Sequence, residues 1–183
     1  MPTPVGHSLM GYALYLSLIR NKLKKSWKTI LLVVFISNLP DIDYLPGLIV
    51  GYPNKYHHAL THSLGFAIIV GLIFALFYFW RYKGMNLSQL ILIFSGLSFS
   101  HIVLDYFAID TSLPYGVPLF WPITSRYFIS PVPLFLDIHK ATVSNLFISS
   151  LFNMHNFWAI IMESVIFMPI IGILMLKQRK ALL

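Results

Sequence analysis

The stretch Leu87–Phe107, LSQLILIFSGLSFSHIVLDYF, carries no charge for its first fourteen residues and then places a histidine and an aspartate near its far end. Twenty-one residues of this kind are long enough to span a bilayer as a helix. On a helix, positions i and i+4 lie one above the other, so His101 and Asp105 aim an imidazole and a carboxylate at one point. That is a metal-ligand geometry. Polar groups in so apolar a segment are costly unless a partner or a site satisfies them.

The rest of the chain has the same character. Of its 183 residues, 57% are hydrophobic and only 10% charged, against about 25% charged in ordinary soluble domains. The composition is that of an integral membrane protein, and the length suits one bundle of about four to six helices spanning 1–183 as a single domain. We therefore expect an all-α, multi-pass transmembrane bundle of about five spanning helices with a short interfacial helix.

A net charge of +7 would raise nucleic acid as a partner in a soluble protein. Placement points elsewhere. Arg20, Lys22, Lys24, Lys25 and Lys28 form one cluster, Arg81 and Lys83 a second, and Lys177, Arg179 and Lys180 a third. The positive-inside rule assigns these loops to the cytoplasm of a cell membrane, where they touch anionic headgroups; membrane lipids, and not nucleic acid, are the expected partners. No residue bears on oligomeric state. The chain has no cysteine, so any metal must be held by nitrogen and oxygen. No basic n-region or small-residue cleavage site precedes the first apolar run, so we expect residues 1–20 to be kept as a helix.

Working outward from Leu87–Phe107, residues 63–80 form a second nearly uncharged span, with Thr61 or Ser63 as a cap. Pro4 to Ile19 reads as the first helix, with His7 near its start. Thr29 to Leu39 reads as a second helix stopping at Pro40, because the residue before a proline is biased out of helix. Both are short for a bilayer, which implies tilt, local thinning or an incomplete crossing. The glycines and prolines between Tyr44 and Leu60 predict a loop or re-entrant stretch. The aromatic, proline-rich segment Ala108–Lys140 suits the membrane–water interface. Residues 141–152 read as a short surface helix, and 155–176 as the last span.

Threaded alternately through a bilayer, these helices bring His7, Asp41, Asp43, His62, His101 and Asp105 to the same, extracytoplasmic side. At 1.5 Å per residue, His7 and Asp41 lie roughly 20 Å, and His62 and Asp105 about 28 to 30 Å, from their basic boundaries. A mixed His and Asp set suits zinc, or another divalent ion such as manganese or iron, as one or two ions. Such an ion lowers the pKa of a bound water and polarises a phosphoryl oxygen, so hydrolysis is the economical chemistry.

In order, Pro40-Asp41-Ile42-Asp43, Thr61-His62-Ser63, His101-Ile102-Val103-Leu104-Asp105 and Gly116-Val117-Pro118-Leu119-Phe120-Trp121-Pro122 with Arg126-Tyr127-Phe128 resemble the YdjM-like group of membrane-bound metal-dependent hydrolases, over roughly residues 4–135. That group is in turn similar to zinc-dependent phospholipases C. The resemblance implies Asp41, His62, His101 and Asp105 as ligands of one ion, with Asp105 bridging to a second that His7 also binds. The phospholipases' freed N-terminal residue and later H-x-x-x-E pair have no counterpart here.

The remaining polar residues keep two readings each. Asp43, or a non-ligating carboxylate, is the candidate general base, although only one of Asp41 and Asp43 need bind metal. His57 and His58 are interfacial, or contact the substrate or the ligands, and Arg126 is an interfacial cation or a phosphate clamp. Glu163, about 12 Å into its helix, is a proton shuttle or an added ligand, or is simply paired. His139 and His155 read as structural. The expected activity is hydrolysis of a phosphoester in a lipid or lipid-linked substrate by a metal-activated water. The alternatives are an ion or proton transporter using the same Asp, Glu and His, and, against the aspartates, a haem carrier.

Overall fold

The computed structural model describes residues 1–19, 22–111 and 113–180; Arg20 of the first basic cluster lies outside them. Among the described residues the chain is helical, with no strand and only two isolated bridges. Helix α1 (Pro4–Leu14) starts as its sequence dictates, with Pro4 in the first turn and the Thr3 hydroxyl accepting the Gly6 N–H. It runs on as a π turn over Tyr15–Ile19. Ser26 caps α2 (Trp27–Asn38), Ser63 caps α4 (Leu64–Arg81) and Asn86 caps α5 (Leu87–Tyr106) in the same way. The last helix, α7 (Met154–Lys180), carries Pro169 inside it and ends in the third basic cluster.

Pro40 does not end the second segment. The backbone tightens into a 3₁₀ turn over Leu39–Asp43 and continues as α3 (Tyr44–Ile49), giving 23 residues from Trp27 to Ile49. Proline lacks an N–H that the first turn of a new helical stretch does not need, so Pro40 starts the 3₁₀ turn as well as closing α2. The loop expected from Tyr44 therefore begins only after Ile49, and holds short 3₁₀ turns at Pro53–Tyr56 and Leu60–His62. Residues 144–150 form the short helix α6 (Ser144–Ser150).

Among the described residues, four helical segments are long and apolar enough to cross a membrane: Trp27–Ile49, Leu64–Arg81, Leu87–Tyr106 and Met154–Lys180. Helix α1 with its π turn is shorter, and packs against α2, α5 and α7. The most extensive pairing is α4 on α5, where Gly71 admits Ser95 so closely that a Cβ would lie 2.8 Å from the Ser95 backbone nitrogen. Small residues of this kind let helix backbones approach where no hydrophobic effect drives them together. Val33, Ile36, Leu90, Phe94 and Leu97 fill the interior, while Leu31, Phe35, Ile73, Phe77 and Trp80 face outward, as helices in lipid require.

The bundle has two chemically distinct ends. At one, the Lys24 N–H donates to the Tyr78 hydroxyl (2.8 Å), tying the first basic loop to the end of α4. At the other lies the segment 108–143, which has no regular element among its described residues. It folds over the start of α4, whose Leu64 and Gly65 N–H groups donate to Leu119 O and Trp121 O (2.9 and 3.0 Å). Val117 and Phe128 exchange two backbone hydrogen bonds (3.0 and 2.9 Å) that close its loop.

Candidate metal centre

Three elements meet at the end of the bundle remote from the first basic loop. The 3₁₀ turn after α2 brings Asp41, the 3₁₀ turn before α4 brings His62, and one face of α5 brings His101 and Asp105. His62 Nε2 lies 3.3 Å from Asp105 Oδ2, 3.6 Å from Asp41 Oδ1 and 3.3 Å from His101 Nε2. His101 Nε2 lies 3.2 Å from Asp105 Oδ2 and 3.5 Å from Asp41 Oδ1. Four donors placed tetrahedrally at zinc bond lengths of about 2.0 to 2.1 Å stand about 3.3 to 3.4 Å apart. The five edges match that spacing.

The donor atoms fit a cation in a second respect. Asp41 Oδ1 and both oxygens of Asp105 are buried without a hydrogen-bond partner among the described residues. Leaving buried carboxylate oxygens unpaired is expensive, and a divalent ion satisfies them together. The side chains of His62, His101 and Asp105 are fully enclosed; that of Asp41, 16% exposed, is the one approachable face.

Each imidazole is oriented from behind. His101 Nδ1–H donates to the Ser37 carbonyl (2.9 Å), where α2 tightens into its 3₁₀ turn. His62 Nδ1–H donates to Asp43 Oδ2 (3.1 Å), and the Thr61 hydroxyl donates to the same oxygen (2.8 Å). Asp43 Oδ1 accepts from His57 Nδ1–H (3.0 Å). Both bonds turn Nε2 of His101 and His62 toward the centre, the arrangement that carbonyl and carboxylate partners impose on metal-bound histidines. Burial alone would lower the pKa of His62, but the facing carboxylates of Asp105, Asp41 and Asp43 together raise it well above the usual imidazole value.

His7 stacks on His101 with ring centroids 3.6 Å apart, and its Nε2 lies 3.6 Å from Asp105 Oδ1. Neither of its ring nitrogens has a hydrogen-bond partner among the described residues, so His7 and the second oxygen of Asp105 offer a further pair of donors beside the first four.

His58 stands next to His62, ring centroids 5.0 Å apart, with φ at +59°, a conformation rare for a non-glycine residue. Its Nδ1 pairs with Asp110 Oδ2 (3.3 Å), which also accepts the Gly116 N–H (2.7 Å). Its Nε2 is buried without a hydrogen-bond partner among the described residues, and burial lowers its pKa.

Two predicted residues lie elsewhere. Glu163 is buried in α7, where its carboxyl accepts from the Thr3 N–H (2.6 Å) and the Thr3 hydroxyl. It fastens the start of α1 to α7 and belongs to no metal-capable group among the described residues. Arg126 is exposed on the segment over α4, and its backbone N–H donates to Thr124 Oγ1. In contrast Lys140, singled out by no motif, is largely buried: its ammonium donates to the Tyr44 hydroxyl and to Met1 Sδ (3.2 Å) beside His57. A lone lysine between Ile138, His139 and Ala141 gives no sequence signal for that placement.

The chain belongs to the YdjM inner membrane protein family, which it matches over residues 1–181. The match carries the assignment past residue 135, through α6 and α7. No curated protein and no solved structure matches the chain.

Proposed function

We propose that this membrane protein is a metal-dependent hydrolase acting on a phosphoester of a lipid or lipid-linked substrate. The observation that supports the reading most strongly is a set of four donors from three separate stretches of chain, in which the Nε2 atoms of His62 and His101 lie 3.2 to 3.6 Å from each other and from the carboxylates of Asp41 and Asp105. Zinc fits best, with manganese or iron compatible with the same donors. When bound, the ion supplies a Lewis acid toward the phosphoryl oxygen and an activated water.

The chain's own residues do the rest. Asp41, the most open of the four, marks the side from which a substrate reaches the centre. Asp43, with three donors on its two oxygens, orients His57 and His62 and has little capacity left to act as a base. His7 and Asp105 Oδ1 provide for a second ion. With the basic clusters cytoplasmic, the centre lies at the extracytoplasmic headgroups, where a lipid arrives by lateral diffusion. The buried Glu163 of α7 favours a second reading as a proton or ion carrier, but its hold on Thr3 gives it a structural task instead.

The test uses purified protein in detergent with a panel of phospholipids. Hydrolysis should stop on chelation, return with zinc and be absent from the His101→Ala protein. Turnover indifferent to chelation and to that substitution contradicts the proposal. Metal-independent ion flux in liposomes that needs Glu163 supports the carrier.

A further inference from the structure

A second His and Asp cluster stands apart from the centre, and we propose that it is an independent divalent-ion site that fastens the segment 108–143 to α7. Its residues are Asp137 and His139 from the segment and His155 from the first turn of α7. This inference does not rest on the hydrolase reading.

The three side chains converge on one carboxylate. His155 Nε2 lies 3.0 Å from Asp137 Oδ1 and His139 Nε2 3.8 Å from Asp137 Oδ2, while the Thr111 hydroxyl donates to that second oxygen (3.0 Å). These separations bracket the spacing of about 3.3 to 3.4 Å between zinc donors. The backbone carrying His139 is already fixed to the helix: its N–H donates to Asn156 Oδ1 and its carbonyl accepts from Asn156 Nδ2, both at 2.8 Å. An ion therefore has only side chains to organise, which keeps the entropic cost of binding low.

The site also differs in kind from the first. Its imidazoles are 58% and 31% exposed, where those of the centre are fully enclosed, so it exchanges ions freely with solvent. Two imidazoles and a carboxylate leave positions for water and suit zinc, nickel or copper(II) rather than magnesium or calcium. The two rings are stacked at 3.7 Å and 2°. An ion in the plane of both requires that stack to open, and the more exposed His139 is free to turn. Lys140 follows directly and reaches Tyr44 beside the centre, so an ion here also fixes the approach of that ammonium.

The experiment is zinc binding by calorimetry and elemental analysis on the purified full-length protein, with copper(II) electron paramagnetic resonance to count nitrogen ligands. His139→Ala removes an exposed ring and leaves the fold intact. It should hold this ion more weakly than the native protein and show one nitrogen coupling in place of two, while His101→Ala retains this weaker ion. Equal stoichiometry and affinity in the native and His139→Ala proteins, or loss of every ion on His101→Ala, overturns the proposal.

Discussion

Substituting Gly6 by alanine tests the contact that holds the start of α1 in place. A Cβ at Gly6 would lie 2.7 Å from both Cδ and Oε2 of Glu163 and 3.2 Å from its Cγ. The carboxyl cannot withdraw without releasing the Thr3 N–H and hydroxyl. Overpacking costs about 1 to 3 kcal/mol and a disturbed buried hydrogen bond about 1 more, so the variant should lose about 2 to 4 kcal/mol. For a chain of this size that is a fall of roughly 4 to 16 °C in Tm. Gly96→Ala is the internal control, because nothing lies within 4 Å of a Cβ there, in the middle of α5. Relieving a mid-helix glycine should add about 0.5 to 1 kcal/mol. Thermal unfolding in detergent, followed by tryptophan fluorescence, reads both. Equal Tm values for the two variants would refute the clamp between Glu163 and α1.

Removing the Asp43 carboxylate as Asp43→Ala should weaken zinc by about 10- to 100-fold without changing its stoichiometry, measured by calorimetry, because His62 loses its orienting partner; unchanged affinity would place Asp43 outside that role. Zinc affinity should also fall with pH. His62 binds a proton more readily than a free imidazole, because its carboxylate acceptors outweigh burial, and the ion must displace that proton. Apparent affinity should drop, by up to about tenfold per unit, as the pH falls through and below the usual imidazole range, and a flat titration would count against His62 as a ligand. At position 58, where φ is +59°, His58→Gly should be more stable than His58→Ala by about 1 kcal/mol; equal Tm values would mean that the backbone carries no strain there.

The ligand geometry on α5 was legible because a helix converts a spacing of four into a shared direction, and His101 and Asp105 occupy one buried face of it. The alternation of apolar spans and basic clusters placed Asp41, His62 and these two at one end. Other features have no local signal. Pro40 reads as a terminator, and only the tertiary structure shows a 3₁₀ turn carrying the helix through it to Ile49. The partner of Glu163 is 160 positions away, so the sequence left a buried carboxyl without its cap, and a role in the site was the natural expectation. The segment 108–143 has no periodicity to read, which is why Asp110 behind His58, and Lys140 over Tyr44, emerge only from packing. The Ser37 carbonyl that orients His101 is main chain, and residue identity says nothing of it.

The proposed centre is a single coordination sphere built from Asp41, His62, His101 and Asp105. X-ray absorption at the zinc edge, on purified protein stripped of weakly held ions, measures it directly. One tightly bound zinc should remain, with nitrogen and oxygen donors at about 2.0 to 2.1 Å and the scattering signature of two imidazoles, and it should be lost from His62→Ala and His101→Ala. Protein that retains no tight ion, or one whose coordination is indifferent to those substitutions, would contradict the account.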